Sequence, residues 1–236
     1  MANRRALSLC SALAWPRVAA NVAVPRFRTP DAAAAALRSA AQPGRPATAA
    51  ARAAPRARHL SFSFPGPRKL EDITNLPLLE KEKKENIADI WTGYHDERED
   101  SLGTVMPGDA LADLQAKAKK CPMFILPVWR EGGYFMLISQ YQDSSFLLTF
   151  LEDYKVNPEG AQPYATVSTY SDLVESKELG LVRADITPNL TKKEVGRLVR
   201  LLIRFYSPHA YHHVETFNLR PNEFDLEKCL EETPRD

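Results

Sequence analysis

Three of the five histidines fall in one short run, His209-Ala210-Tyr211-His212-His213. Imidazole is a common metal ligand and the usual proton shuttle near neutral pH, so His209 and His212 are the side chains such chemistry would use here. Neither an HExxH context nor a third ligand accompanies them. The run reads more simply as a helix-to-strand junction whose histidines alternate between the two faces of a short strand. Cys121 is the other reactive type. A nucleophilic thiol needs a base beside it, yet Cys121 stands between Lys119-Lys120 and Pro122, so a buried or capping thiol is expected. Cys121 and Cys229 have no CxxC partner, which fits neither a zinc finger nor a disulfide framework. The ten glycines form no GxGxxG and no Walker loop, which weighs against an ATP-driven mechanism. No catalytic, cofactor-binding or metal-binding residue is therefore assigned, and no cofactor is expected.

Two stripes concern binding instead. Arg197, Arg200 and Arg204 recur at i, i+3 and i+7, on the side of a helix opposite its apolar face. They are either a solvated face or a docking stripe for an acidic partner surface, for which the planar guanidinium is well suited. Ile87, Ile90, Trp91 and Tyr94 form one apolar stripe on an otherwise charged helix. Aromatic residues so placed serve the core or anchor a protein partner, and both readings stay open.

The elements that must position these residues follow from periodicity and punctuation. Pro77 divides the first helical region into a short turn and the main helix carrying Ile87–Tyr94. The Gly103–Gly108 stretch separates it from a second helix, with Asp109 as N-cap, Leu111, Leu114 and Ala118 on its apolar face, Lys117, Lys119 and Lys120 at its end and Pro122 as its stop. Three strands follow, Met123–Trp129, Tyr134–Gln140 and Ser145–Glu152, whose short connections force an antiparallel meander, with Pro127 at an edge or bulge. A turn lies at Asn157-Pro158-Glu159-Gly160. Further strands are expected at Tyr164–Tyr170 and Leu181–Thr187, with a helical turn near Asp172–Glu175 between them. Thr191-Lys192-Lys193-Glu194 is a capping box that opens the strongest helix, with Val195, Leu198, Val199, Leu202 and Phe205 buried and Ser207-Pro208 ending it. A strand near Tyr211–Phe217 and a helix from Pro221 close the chain. The fold class expected is α+β, a mostly antiparallel sheet covered by helices on one face, in a single domain.

Charge divides the chain. The first sixty residues hold ten arginines, no lysine and one acidic residue, so they carry +9; the remaining 21 basic and 29 acidic residues leave the rest at −8. An Arg- and Ala-rich, acid-poor leader is the pattern of a mitochondrial transit peptide. A membrane potential draws it inward at about 2.3 kcal/mol per charge per 100 mV. The expected organisation is a disordered transit peptide over 1–59, cut between Arg56 and Arg68, a linker over 60–69, one α+β domain over 70–232 and a tail over 233–236. No window approaches the ~18 consecutive apolar residues that span a bilayer, and the acidic body disfavours a polyanionic partner such as nucleic acid.

Four runs carry a family resemblance: Ile90-Trp91-Thr92-Gly93-Tyr94-His95, Cys121-Pro122-Met123-Phe124-Ile125-Leu126-Pro127-Val128, Gly133-Tyr134-Phe135-Met136-Leu137-Ile138-Ser139-Gln140-Tyr141 and Arg204-Phe205-Tyr206. Together they resemble the family of mitochondrial ATP synthase F1 complex assembly factor 1, over roughly Leu70 to Glu232. The resemblance implies a matrix chaperone and not an enzyme. Such a chaperone binds the free β subunit of the ATP synthase head, keeps it from aggregating and hands it to α, without staying in the finished complex. No active residues transfer. The masking surface is expected to come from β-strand edges or from Ile87, Ile90, Trp91 and Tyr94, with Arg197, Arg200 and Arg204 as a weaker candidate.

Overall fold

The computed structural model describes residues 68–233. The leader expected over 1–59, most of the linker over 60–69 and the last three residues of the tail lie outside the described residues. The architecture grows from one six-stranded sheet, ordered β1-β6-β5-β4-β3-β2 and antiparallel throughout. The strands are β1 (Ser101–Pro107), β2 (Met123–Arg130), β3 (Gly133–Gln142), β4 (Ser145–Phe150), β5 (Pro163–Tyr170) and β6 (Leu179–Ile186). The meander from β2 to β6 follows from its connections. Arg130 pairs with Gly133 around Glu131-Gly132, and Gln142 pairs with Ser145 around Asp143-Ser144. Asp143 and Ser144 both take positive φ, 46° and 62°, the backbone twist that two-residue hairpins need.

Helices α1 (Leu76–Leu79), α2 (Lys84–Asp96), α3 (Gly108–Lys120), α4 (Leu151–Val156), α5 (Val174–Lys177), α6 (Lys192–Tyr206), α7 (Tyr211–Leu219) and α8 (Leu226–Glu231) complete the chain, with 3-10 turns at Leu70–Asp72 and Pro221–Glu223. The α+β reading holds, and the sheet is covered on more than one face. Alternation along the strands separates two apolar clusters. Met106, Val167, Val182 and Ala184 join Leu111, Leu198, Leu202 and Phe205 under α3, α6 and α7. Val105, Tyr170, Leu179 and Leu181, from the opposite alternation, join Ile87, Trp91 and Leu79 under α1 and α2.

Several sequence expectations are corrected. The Gly103–Gly108 break is the strand β1, paired along its whole length with β6. Its alternation was hidden by glycine and proline, and only pairing to β6 satisfies its backbone. The next helix begins at Gly108, with Pro107 in the capping position, so Asp109 lies inside the first turn and not at the N-cap. The third strand stops at Phe150, because Leu151 opens α4. Tyr211–Phe217 is not a strand but the helix α7. Helical spacing buries His213, Val214 and Phe217 together, and that packing overrides the β-propensity of its aromatic residues. Pro221 opens only a 3-10 turn, and the α-helix begins later, at Leu226 behind an Asp225 cap. The Thr191–Glu194 capping box is present in both directions.

Pro127 sits on the edge strand, as expected. Tyr141 N–H donates to Pro122 O, so the hydrogen-bonded pairs of the ladder continue as Phe124 with Ser139, Leu126 with Leu137 and Val128 with Phe135. The intervening residues Met123, Ile125, Pro127 and Trp129 therefore turn their backbone groups away from β3. Proline is harmless there because the missing N–H belongs to the side away from β3.

Candidate partner-binding surfaces

The apolar stripe of α2 divides once the helix docks. Ile87 is fully buried and Trp91 is 3% exposed, whereas Ile90 and Tyr94 are 48% and 47% exposed. Trp91 points into the sheet, donating from Nε1 to Val182 O at 3.1 Å and meeting the Tyr170 ring edge-on. One turn on, His95 is wholly buried, and its Nδ1 must donate to Trp91 O at 2.7 Å because a carbonyl only accepts. Its Nε2 finds no hydrogen-bond partner among the described residues. Burial, followed by nearby Arg183, holds the imidazole pKa below its ordinary value against the opposing Trp91 hydrogen bond. His95 is thus a structural histidine. Ile90 and Tyr94 keep the outer face, with Arg98 stacked over the Tyr94 ring at 5.5 Å.

The second surface lies where α6 overhangs β2. Pro127 and Val128 of the strand, with Leu198 and Leu201 of the helix, line a groove of about 250 Å³ walled by Arg197, Arg200 and Arg204. Arg197 is half-buried and the other two are exposed. Among the described residues no hydrogen bond or ion pair engages these three guanidinium groups. Arg130, in contrast, is committed: it grips Glu194 through Nε at 2.7 Å and Nη2 at 3.2 Å and reaches Asn189 O. Burial opposes charge on Glu194, but the hydrogen bonds from Arg130 and Thr191 outweigh it and hold the carboxyl below its usual range. This pair fastens the end of β2 to the first turn of α6 and so sets the groove's width. The backbone at the start of the edge is closed, since Asn218 of α7 accepts from Met123 N–H and donates to Met123 O.

The histidine run does not sit on a strand. His209 precedes α7, and His212 and His213 share its first turn with ring centroids 4.0 Å apart. Together with Glu232 they are the group, among the described residues, whose ligand atoms approach within 4.8 Å. His213 is mostly buried against the edge of Phe205, with Nε2 3.2 Å from Glu232 Oε1. That contact brings α7 against the end of α8 without a hydrogen bond from Nε2 among the described residues, and His209 contributes nothing to it. Cys121 is fully buried at the end of α3, its carbonyl accepting from Tyr206 Oη at 2.8 Å, and Cys229 is buried with its thiol pushed up to about 12. Neither thiol is placed to attack a substrate.

Residues 17–230 match the family model described as ATP11 protein. The chain belongs to the ATP11 family. The match begins inside the segment read as a leader. Within this family the chain is 28% identical over 167 residues to the human protein named ATP synthase mitochondrial F1 complex assembly factor 1, covering 69% of this chain and 51% of that one. The Mus musculus protein of the same name is 25% identical over 177 residues, covering 73% and 54%. "Protein atp11, mitochondrial" of Schizosaccharomyces pombe is 26% identical over 145 residues, covering 58% and 48%. The chain spans about half the length of the curated relatives it matches.

The runs that carry the resemblance to the ATP11 family now have physical roles. Trp91 and His95 seat α2 on β1 and β6, and the Cys121–Val128 and Gly133–Tyr141 runs build the edge hairpin of the groove. Sequence reasoning placed Pro127 at an edge but missed the Arg130–Glu194 clasp. The clasp joins residues 64 positions apart, and no local signal announces it.

Proposed function

We propose that this protein is a non-catalytic chaperone of F1 assembly in the mitochondrial matrix, one that binds the free β subunit of the ATP synthase head. It keeps that subunit from aggregating and releases it to α. The observation that carries the reading is the family match over residues 17–230, together with the names of the relatives. The +9 charge of the first sixty residues supports import, and the absence of a phosphate-binding glycine motif supports binding without nucleotide hydrolysis. An unassembled subunit exposes an apolar interface, and a partner that covers it lowers the concentration of sticky protein. Exchange then requires the chaperone to bind more weakly than α does. The surfaces offered are the outward Ile90 and Tyr94 of α2 and the edge of β2 under Arg197, Arg200 and Arg204; Ile87 and Trp91 support the first from beneath.

The test is capture from mitochondrial extract with a tagged full chain, followed by identification of the bound protein and quantification against finished ATP synthase. Enrichment of free β, with the factor absent from the complete enzyme, is the expected result. Stoichiometric presence in the finished complex, or depletion that leaves the F1 head fully built and its subunits soluble, overturns the reading.

A further inference from the structure

We infer that His212, His213 and Glu232 form a zinc-binding site that fastens the C-terminal helix α8 to α7. The inference goes beyond the chaperone reading and does not rest on it.

The sequence shows two neighbouring imidazoles and no third ligand beside them; the tertiary structure brings the third, Glu232, from the end of α8. One ligand atom from each residue lies within 4.8 Å of the other two. Two ligands on one tetrahedral zinc, each about 2.0–2.1 Å from the ion, stand roughly 3.3–3.4 Å apart. His213 Nε2 and Glu232 Oε1 are already 3.2 Å apart. The His212 ring lies beside them, 4.0 Å from the His213 ring between centroids, and its exposure leaves it room to close the remaining distance.

Three observations point to a ligand. The first is an orphaned donor atom. His213 is only 8% exposed, and its buried Nε2 has no hydrogen-bond partner among the described residues despite the nearness of Glu232. A buried polar atom left without a partner is costly, and a metal ion would take its lone pair. The second is charge. Glu231 is the last residue of α8 and Glu232 its C-cap, so two carboxylates stand where the helix dipole favours cations. A divalent ion at Glu232 reverses that conflict. The third is the build of the site. Phe205 of α6 backs the His213 ring edge-on, which fixes the inner ligand, while the exposed His212 and Glu232 give an ion its way in.

The donor set selects the metal. Two imidazole nitrogens and one carboxylate suit zinc, with water in the fourth position, whereas magnesium and calcium take oxygen ligands. Neighbouring groups stay outside the site. Glu215, one turn on from His212, is held by Lys120 at 2.7 Å, and neither His209 nor the buried Cys229 belongs to the group.

Equilibrium dialysis of the EDTA-stripped full chain against Zn2+, with bound metal counted by atomic absorption, tests this. The expected result is one zinc per chain with a Kd of about 10 μM or tighter, undisturbed by excess Mg2+. His212→Ala and the isosteric Glu232→Gln, both at exposed positions, should each weaken binding at least about tenfold with unchanged circular dichroism, while His209→Ala leaves it intact. Zinc should also slow amide exchange in α8 of the wild type but not of Glu232→Gln. No bound zinc, binding unaffected by either variant, a loss in His209→Ala as large as in His212→Ala, displacement by Mg2+, or unchanged exchange in α8 each overturns the inference.

Discussion

Gly103 of β1 runs directly beneath the imidazole of His95: a Cβ added there would lie 2.5 Å from His95 Nδ1 and 3.0 Å from Trp91 Nε1. Neither ring has room to withdraw, since both are buried and Trp91 is held by Val182 O. Gly103→Ala should destabilise the fold by about 1–3 kcal/mol through overpacking. Gly93 on α2 has nothing within 4 Å of its would-be Cβ, so Gly93→Ala should stabilise by about 0.5–1 kcal/mol through helix propensity. Urea unfolding of both variants measures the contrast, and equal midpoints would contradict the seating of α2 described here.

His95 makes stability depend on pH. A histidine whose folded pKa is depressed binds fewer protons folded than unfolded, so stability is full above the unfolded value of about 6.5 and declines as pH falls through it toward the folded value. The carboxyls of Asp100, Glu194, Glu215 and Asp225 are held low and lose their contributions only in more acid solution. Between about pH 6.5 and 5.5 the urea midpoint should therefore drop in the wild type and stay flatter in His95→Gln.

Lys192 opens α6, yet its ammonium serves α2. Nζ donates to His95 O at 2.7 Å, Asp96 O at 3.0 Å and Arg98 O at 2.7 Å, collecting carbonyls at and just beyond the helix C-terminus. Lys192→Met keeps the stem and removes the charge, and it should cost about 1.5–3 kcal/mol. Hydrogen exchange should show the loss concentrated in the last turn of α2.

Thr191 and Glu194 cap α6 reciprocally, and Glu194 also holds Arg130. Thr191→Ala should cost about 1 kcal/mol in thermal or chemical unfolding. A double-mutant cycle on Arg130→Ala and Glu194→Ala should return a coupling of about 0.5–1 kcal/mol, because Arg130 is half exposed. A coupling of zero would mean that the clasp does not set the groove.

Capture of the partner should separate the two halves of the α2 stripe. Tyr94→Ala and Ile90→Ala alter exposed side chains and should weaken capture without moving the unfolding midpoint. Trp91→Ala, emptying a buried site, should cost about 3–5 kcal/mol of stability. Undiminished capture by both exposed variants would remove α2 from the binding surface.

Much of the architecture was legible in the chain because its signals are local. The capping box needs only residues three apart, the hairpins only their two-residue turns, and Pro127 only the rule that proline avoids the interior of a ladder. A boundary in charge near residue 60 was likewise visible, and the family as four runs of residues. Tertiary structure decided the rest. Whether Tyr211–Phe217 reads at period two or at 3.6 depended on the core it meets, where Phe217 packs edge-on against Phe124. Gly103 belongs to a strand because β6 is there to pair with it. Ile87 and Trp91 turned inward and Ile90 and Tyr94 outward because α2 docks against a single line of the sheet, and no helical stripe announces which of its edges will be covered. The arginine groove exists only because α6 overhangs an edge strand some seventy residues away in the chain, and burial and backbone pairing at that distance are global outcomes that local periodicity does not encode.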